Sequence, residues 1–354
     1  EAYRKKYCKD YVLLDDDMDN LKFERQSYFG GRTEIFKKGI FRNKIYYYDV
    51  NSMYPYVMKS FKYPREYSFS KYKPKIEKVM DYINRGYLII AECNIDTKES
   101  KIACYPKKIN NSLCFPIGKF TTTLATPEVI EAINNNHLVS FGKVSFYKSA
   151  YLFKDYIDFF YSKRQELKKA KNPQEAMFKL FLNSLYGKFG QMVDQWEVTN
   201  EETIKLIDPN FTLHDWIINN YKIPQIIIDG VDKTPKIRYI AGELQLAGEE
   251  KESNISFPAI ASHVTSYARL IIWQAIKYCE ANNITYYYCD TDSIFIDGEL
   301  PSELVSETEL GKYKIEKIFD YGVEFINLKN YCGLDKEGNK YVESDKGEKV
   351  IFNE

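Results

Sequence analysis

The sequence has no net charge and no long apolar run. Its 50 basic residues equal its 50 acidic residues, so a nucleic-acid partner would have to meet a local basic surface. No apolar run approaches the roughly 20 residues of a membrane span, and no signal-peptide pattern opens the chain. The sequence therefore gives no sign of a membrane partner.

Paired cysteines and repeats are also missing. The seven cysteines are odd in number and scattered, and no two form a C-x-x-C pair. The pattern predicts neither a zinc site nor a disulfide framework, and a reducing, cytosol-like compartment is the simplest interpretation. The chain of 354 residues is long enough for two or three subdomains. It begins at Glu1 rather than Met, so we expect a segment of a longer protein.

Charge is present, but it is distributed unevenly. Residues 160–190 carry seven Lys or Arg against two Glu, an excess of five positive charges. Residues 297–324 carry eight acids against three lysines, the opposite excess. Overall neutrality therefore conceals a basic segment suited to binding phosphates.

Two acids interrupt an aromatic and apolar run in "YYYCDTDSIF", residues 286–295. The pattern predicts a tight β-hairpin with Asp290 and Asp292 at or beside its tip. Side chains two apart on an extended chain point to the same face, so the two carboxylates are expected to converge. Since like charges repel, a hard divalent cation such as Mg²⁺ or Mn²⁺ is expected between them. An ordinary solvated turn is the alternative.

A third acid, Asp49, ends the predicted strand in "YYYDVNSMYP", where Tyr54 and Pro55 turn the chain. One carboxylate at a strand end and two at a hairpin tip form the set that a two-metal phosphoryl-transfer site requires, with cations about 3.5 to 4 Å apart. Taken alone, Asp49 is equally an acid at the end of a strand.

The basic segment is predicted to form two helices that break at "KNPQE". In "KLFLNSLYGKFG" the side chains of Lys179, Asn183 and Tyr186 share one helical face. Arg164 and Lys168 lie one turn apart on the preceding helix. If the helices are antiparallel, these cations converge on a triphosphate. A solvated basic face with a core stripe is the alternative.

Three motifs, in this order, resemble motifs A, B and C of the family B DNA polymerases. They are "DVNSMYP" (49–55), "KLFLNSLYG" (179–187) and "YCDTDS" (288–293). The resemblance is closest to the protein-primed members of phages and linear plasmids and spans about residues 25 to 345. Three shorter elements resemble the family's Y-x-G-G, T-x-x-A-R and K-x-Y elements, namely "YFGG" (28–31), "TSYAR" (265–269) and "KNY" (329–331).

The resemblance implies an α/β (α+β) right-hand polymerase fold, with an antiparallel-sheet palm, short helical fingers and little or no thumb. The implied divisions are a lead-in (1–24), the first part of the palm (25–150), the fingers (151–190), an insertion (191–258), the second part of the palm with the metal-binding hairpin (259–328) and the start of a thumb (329–354). Protein-primed enzymes carry at the insertion a segment linked to strand displacement and processivity. A decorated loop is the alternative for this segment.

The implied activity is that of a DNA-directed DNA polymerase, a nucleotidyltransferase that serves phage or linear-plasmid replication. A primer 3′-hydroxyl would attack the α-phosphate of a deoxyribonucleoside triphosphate (dNTP) in line, release pyrophosphate and require two Mg²⁺ ions, or Mn²⁺ in their place. The implied partners are template and primer DNA, the dNTP and, at initiation, a terminal protein that supplies the first hydroxyl. The compartment would be the bacterial host cytoplasm for a phage, or the mitochondrial matrix for an organellar plasmid.

The resemblance also assigns a role to each motif residue. Asp49, Val50 and Asp292 would hold the metal ions, with Asp290 as a further, supporting catalytic acid. Tyr54 would exclude a 2′-hydroxyl. The implied nucleotide contacts are Tyr54, Arg164, Lys168, Lys179, Asn183 and Tyr186. The implied DNA contacts are Tyr28, Gly30, Gly31, Thr265, Arg269, Lys329 and Tyr331.

Two family features are missing from this sequence. The acidic exonuclease motifs expected upstream are absent, so proofreading is not assigned to this segment. Only 23 residues follow "KNY", which is too few for the usual thumb.

Three alternatives remain open. A two-metal nuclease could use the same acids, but it would not need the motif B residues. An RNA-synthesising or reverse-transcribing palm enzyme is opposed by Tyr54. The third alternative is a catalytically weak or inactive fragment that binds DNA or a partner, although such a module would not require the intact acids.

Overall fold

The computed structural model describes residues 2–7, 17–228, 231–253 and 255–344. The chain divides into two compact units, which are described separately. The first comprises Glu1–Gly190 and Phe257–Glu354, and the second comprises Gln191–Ser256. Within the described residues, no helix has the length and apolar character needed to cross a membrane.

Helices and strands alternate along the chain. The helices are α1 (Ala2–Tyr7), α2 (Met18–Gln26), α3 (Met53–Ser60), α4 (Ile76–Asn84), α5 (Thr126–Asn134), α6 (Lys154–Lys169), α7 (Glu175–Phe189), α8 (Glu201–Lys205), α9 (Leu213–Ile218) and α10 (Pro258–Ala281), and a 3-10 helix covers Ser302–Leu304. The strands before the fingers are β1 (Thr33–Ile35), β2 (Gly39–Phe41), β3 (Ile45–Val50), β4 (Tyr63–Tyr72), β5 (Leu88–Asp96), β6 (Lys107–Ile109), β7 (Ser112–Cys114), β8 (Lys119–Ala125) and β9 (Leu138–Ala150). Those after the fingers are β10 (Met192–Val198), β11 (Ile227–Ile228), β12 (Val231–Asp232), β13 (Ile237–Ile240), β14 (Glu243–Glu252), β15 (Tyr286–Asp290), β16 (Ser293–Ile296), β17 (Tyr313–Phe319), β18 (Val323–Asn327), β19 (Asn330–Leu334) and β20 (Lys340–Ser344).

A five-stranded antiparallel sheet carries the predicted acidic motifs. Its strand order is β1-β15-β16-β3-β17, so the two motif strands β3 and β16 are neighbours. Side chains alternate between its faces, as strand geometry requires. Ile294 and Ile296 enter the core that includes α10, whereas Phe295 stacks on Tyr47 on the opposite face, with ring centroids 4.4 Å apart. Burial on both faces fixes the strand register and hence the position of the acids.

Residues 63–150, expected as part of the palm, form a sheet of their own. Its strand order is β4-β9-β5-β8, and among the described strands it shares no ladder with the acidic sheet. Residues 63–150 therefore do not extend the sheet that carries the acids, and the expected bounds of the palm stay a prediction. The predicted thumb start also differs, because β19 and β20 extend the sheet β2-β18-β19-β20. Residues 345–354 lie outside the described part of the chain.

The predicted helical pair is confirmed as α6 and α7, with the break at 170–174. The predicted helix over 259–281 is α10, which begins one residue earlier at Pro258. The N-terminus of α10 is capped from a distance, because the buried Glu24 carboxylate accepts a hydrogen bond of 3.0 Å from the Ala259 amide. Ser27 on the same N-terminal segment donates to Ser262 at 2.7 Å. The lead-in residues therefore help to fix the longest helix of the first unit.

The second unit corresponds to the predicted insertion and is folded. Strands β10, β14 and β13 form an antiparallel sheet in that order. Ile204, Phe211 and Leu244 form a small buried core. The weak periodicity of residues 191–258 did not reveal this sheet, because its strands are half exposed and its core is small.

Candidate active site

The acids of motifs A and C meet at the end of the five-stranded sheet. The register places Asp49 opposite Ser293, and the amide of Val50 donates a hydrogen bond of 2.8 Å to the carbonyl of Asp292. Asp49 and Asp292 line one cavity of about 370 Å³. The predicted hairpin is therefore confirmed. Asp292 of the hairpin and Asp49 of the neighbouring strand, both expected metal ligands, face the same space.

Burial and neighbouring negative charges raise the pKa of both carboxyls. The pKa of Asp49 is raised to about 7, first by burial and then by the charges of Asp292 and Glu316, against the opposing effect of Lys314 and Lys179. The pKa of Asp292 is raised to about 6, again mainly by burial. Two desolvated carboxylates that repel each other are stabilised by a cation between them.

The donor set fits a hard divalent cation. Within the described residues, no cluster of three or more His, Cys, Asp or Glu has metal-binding geometry. Protein carboxylates would therefore supply only part of the coordination of each ion, which is the pattern Mg²⁺ uses when it also takes water and phosphate oxygens. Val50 is buried, so only its main-chain oxygen could contribute.

Asp290 is oriented differently from the expectation. Its carboxylate accepts hydrogen bonds from the hydroxyls of Thr33 at 2.8 Å and Thr291 at 3.1 Å, and the Nζ atom of Lys329 lies 4.0 Å away. It does not line the cavity with Asp49 and Asp292. The reason is local, because Thr291 has a φ of 57° and interrupts the extended chain on which convergence depended.

The predicted cations line the same cavity as the acids. Arg164 and Lys168 on α6 and Lys179 on α7 all line it, as does the exposed Asn183. Among the described residues, Arg164 donates to Glu175 at 2.5 Å and to the hydroxyl of Ser52 at 3.2 Å. The structure thus brings the expected nucleotide contacts of both helices together.

Two tyrosines of motifs A and B stack at the edge of the cavity. The rings of Tyr54 and Tyr186 lie 4.5 Å apart with an interplanar angle of 20°. Tyr54 lines the cavity, whereas Tyr186 does not line it and stacks on the Tyr54 ring. Burial raises the pKa of both hydroxyls, so each remains a neutral hydrogen-bonding group at physiological pH.

Arg269 is enclosed by protein, which corrects its expected contact with primer. Its side chain is 1% exposed and forms a bidentate ion pair with the fully buried Glu128, at 2.7 and 3.1 Å. The Nη1 atom donates to the carbonyls of Phe29 at 2.9 Å and Gly30 at 2.8 Å. Arg269 therefore holds the "YFGG" backbone in place and can act on DNA only through that segment.

The other predicted DNA contacts divide by exposure. Thr265 is buried and donates its hydroxyl within α10, and Tyr331 is buried among aromatic rings, so their expected direct contacts with DNA are also corrected. Lys329 is exposed beside Asp290. Gly30 is exposed, and a Cβ at Gly31 would lie only 2.8 Å from the Thr291 side chain, so the glycine permits close packing against the acidic turn.

Tyr28, the remaining DNA contact of the prediction, packs against the end of the fingers. Its ring lies so close to Gly190 that a Cβ there would meet it at 2.5 Å. Burial and the nearby Tyr186 raise the pKa of its hydroxyl. The half-buried ring therefore links the "YFGG" segment to the C-terminus of α7.

Several cavity residues were missed from the sequence. They are Asn51, Ser52, Met53, Tyr161, Gln165, Glu307, Thr308, Lys314 and Glu316. Glu316 raises the pKa of Asp49, and Lys314 pairs with it at 3.1 Å. A signal was present in the acidic excess of residues 297–324, but it did not show that β17 lies beside β3. Glu175 does not line the cavity but pairs with Arg164, which does; it was also missed, because one acid in a basic helix looks like ordinary charge balance.

Acids at the ends of neighbouring sheet strands thus share one cavity with the cations of a helical pair. Residues 1–269 match the sequence profile of the family described as DNA polymerase type B, organellar and viral, and the chain belongs to that family.

Relatives and solved structures agree with this membership. A probable DNA polymerase of Neurospora intermedia is 30% identical over 95% of this chain and 33% of its own length. The DNA-directed DNA polymerase of Enterobacteria phage PRD1 is 30% identical over 84% of this chain and 47% of its own. The chain thus spans between about a third and a half of these relatives. Phi29 DNA polymerase, in complex with primer-template DNA and incoming nucleotides, superposes with a TM-score of 0.68 at 21% identity, over 99% of this chain and 59% of its own, which shows the right-hand polymerase fold.

Proposed function

We propose that the protein is a DNA-directed DNA polymerase that extends a primer 3′-hydroxyl with deoxyribonucleotides on a DNA template. The observation that carries this proposal is that Asp49 and Asp292 line the same cavity as Arg164, Lys168 and Lys179. A nuclease site would need the acids alone, whereas a triphosphate also needs the cations.

The acids and the cations that line the cavity have distinct roles. Asp49 and Asp292 would hold two Mg²⁺ ions, or Mn²⁺, which when bound stabilise the attacking and leaving oxygens. The cations of α6 and α7 bind the β- and γ-phosphates and orient the α-phosphate for in-line attack. Asn183 lies beside the nascent base pair. The 3′-hydroxyl attacks the α-phosphorus, the bond to the bridging oxygen breaks, and pyrophosphate leaves.

Tyr54 is proposed as the group that excludes ribonucleotides. Its ring is held by the stack with Tyr186, so it cannot easily move away from a 2′-hydroxyl. Replacing Tyr54 with Ala should increase ribonucleotide incorporation relative to deoxyribonucleotide incorporation, while Tyr54→Phe should preserve discrimination because the ring remains. Equal discrimination by wild type and Tyr54→Ala would contradict this role and would favour a different nucleotide substrate.

The biological setting is proposed from the motif resemblance and from the organisms of the relatives. We propose that the natural partners include template and primer DNA and a terminal protein whose hydroxyl is the first primer. The protein would then replicate a phage or linear-plasmid genome, in the host cytoplasm or in the mitochondrial matrix respectively. The folded unit 191–256 is proposed to support strand displacement or processivity. Removing it should shorten products on double-stranded template without abolishing extension on single-stranded template.

The experiment that tests the activity is extension of a 5′-labelled primer on a DNA template with Mg²⁺ or Mn²⁺ and single dNTPs. Incorporation only of the nucleotide complementary to the template supports the proposal. A shortened primer would instead support the nuclease alternative, because nucleases need no dNTP.

A further inference from the structure

Glu175 is a carboxylate placed among the three cations that face the triphosphate. It occupies the first turn of α7, opposite Arg164 on α6, and accepts a hydrogen bond of 2.5 Å from the Nε atom of that arginine. Its side chain is 26% exposed and that of Arg164 is 15% exposed. Arg164 lines the cavity, and Glu175 is connected to the cavity through this pair. The carboxylate thus occupies a position where it can exchange with another anion.

All three cations act on this single carboxylate. The pKa of Glu175 is lowered by its hydrogen bond from Arg164 and by the positive charges of Arg164, Lys179 and Lys168. Within the described part of the chain, the side chains of Lys168 and Lys179 make no hydrogen bond or ion pair. Their ammonium groups are therefore available for another anion. Glu175 balances this cluster from α7 through its pair with Arg164, while Asp49 and Asp292 interact electrostatically with Lys179.

Arg164 is held from both sides. While Nε donates to Glu175, Nη1 donates to the hydroxyl of Ser52 at 3.2 Å. Ser52 stands at the N-terminus of α3 with a φ of 48°, between Asp49 and Tyr54 in motif A. The arginine therefore bridges the fingers to motif A before any nucleotide is present, and Glu175 determines which way its guanidinium points.

We propose that Glu175 is a positioning residue that holds the Arg164 guanidinium in the way that a phosphate group would. It orients Arg164 toward motif A and balances the cation cluster. An incoming triphosphate then competes with it for the guanidinium. This inference rests on the proposed function. Because the same carboxylate opposes every anion in the cavity, it weakens nucleotide binding and speeds the departure of pyrophosphate.

The consequence is a binding effect with a defined sign. Glu175→Gln retains an amide oxygen that can accept from Arg164 but removes the charge. Binding of inorganic pyrophosphate should become about tenfold tighter, because one opposing charge is lost within a few ångströms of the ligand. In steady-state extension the KM for dNTP and the inhibition constant of pyrophosphate should both fall, and kcat should fall as product release slows. Glu175→Ala should also remove the acceptor and raise the KM above that of Glu175→Gln.

The experiment compares wild type, Glu175→Gln and Glu166→Gln by calorimetric titration with pyrophosphate in Mg²⁺. Glu166 is the matched control, since it is a glutamate of the same helical pair whose partner, Lys163, does not line the cavity, whereas the partner of Glu175, Arg164, does. The isosteric substitution at the exposed edge of the helix should leave the thermal midpoint unchanged, and this is measured first.

The possible outcomes separate the two proposals. Tighter binding by Glu175→Gln, with Glu166→Gln equal to wild type, supports the inference. If wild type binds pyrophosphate and Glu175→Gln binds it equally or more weakly, the inference is overturned. The proposed polymerase function is then unaffected. A folded wild type that binds no pyrophosphate at millimolar concentration contradicts the anion-binding cavity, and with it the function on which the inference rests.

Discussion

Two arginine–carboxylate pairs of similar length lie in contrasting regions of the first unit. Arg269 and Glu128 are 1% and 0% exposed, whereas Arg164 and Glu175 are 15% and 26% exposed. By resemblance, both arginines were expected to touch substrate. The structure leaves only Arg164 able to do so, because every direction around Arg269 is occupied by protein.

The difference shows that a match to a family motif predicts where a residue lies in the fold more reliably than what its side chain contacts. Arg269 is part of "TSYAR", but its donors are used by Glu128 and by the carbonyls of Phe29 and Gly30. Breaking such a buried pair leaves an uncompensated charge in the core, whereas breaking a half-exposed pair leaves a charge that water can reach. The two pairs should therefore respond oppositely in stability and activity.

The largest effect is expected at the buried pair. Glu128→Ala leaves Arg269 charged and unpaired, so the free energy of unfolding should fall by about 3 to 5 kcal/mol. Chemical denaturation measures the change. The double variant Glu128→Leu with Arg269→Met should lose less, since it removes both charges. A loss below about 1 kcal/mol for Glu128→Ala would remove the distinction between the two pairs.

A smaller effect is expected from His263, a second buried link between α10 and α5. Its Nδ1–H donates to the Ala259 carbonyl at 2.7 Å, so Nε2 accepts from the hydroxyl of Thr126 at 3.0 Å. Burial lowers the pKa of His263 from 6.5 to about 4. Above pH 6.5 its contribution is fully present. As pH falls toward 4 the unfolded chain binds a proton that the folded chain does not, and roughly 3 kcal/mol is lost.

Denaturation between pH 4 and pH 7 measures this dependence. The wild-type stability should fall more steeply with acidification than that of His263→Gln, which has no titrating imidazole. Parallel curves of stability against pH for wild type and His263→Gln would show that His263 has the same pKa in the folded and unfolded chains.

Arg164 should show the reverse pattern. Arg164→Ala should change the free energy of unfolding by about 1 kcal/mol or less, because its pair is partly hydrated. The KM for dNTP should rise by about tenfold to a hundredfold, the value of one lost charge-assisted hydrogen bond to phosphate. Primer extension at varied dNTP, together with denaturation, measures both quantities. A large stability loss with unchanged KM would make Arg164 structural, as Arg269 is.

The smallest effect completes the series at an exposed pair. Lys163 and Glu166 are 48% and 63% exposed on α6. Replacing Lys163 with Ala should change stability by about 0.5 kcal/mol or less and leave the KM unaltered. A larger change in stability or in KM would mean that the effects of breaking the three ion pairs do not follow their burial.

The sequence allowed the local elements of the site to be predicted. The aromatic run around Asp290 and Asp292 indicated the hairpin, and "KNPQE" indicated the break between the fingers helices. Those signals are short-range, since they depend on strand and helix periodicity and on turn residues.

Tertiary arrangement escaped prediction. The direction of the Asp290 carboxylate depends on the φ of Thr291, and the burial of Arg269 depends on α5 packing beside α10. Glu316 reaches the cavity because β17 pairs with β3, a pairing that no local pattern encodes. The sheet of residues 63–150 could not be separated from the palm sheet, because strand signals do not identify their partners.

The central claim is that Asp49 and Asp292 are the catalytic acids of a DNA polymerase. The most direct test is primer extension by wild type, Asp292→Asn and Asp81→Asn, where Asp81 is an exposed acid paired with Arg85 on α4. The account predicts template-directed extension by wild type and Asp81→Asn and its loss in folded Asp292→Asn. Undiminished extension by Asp292→Asn would contradict the account.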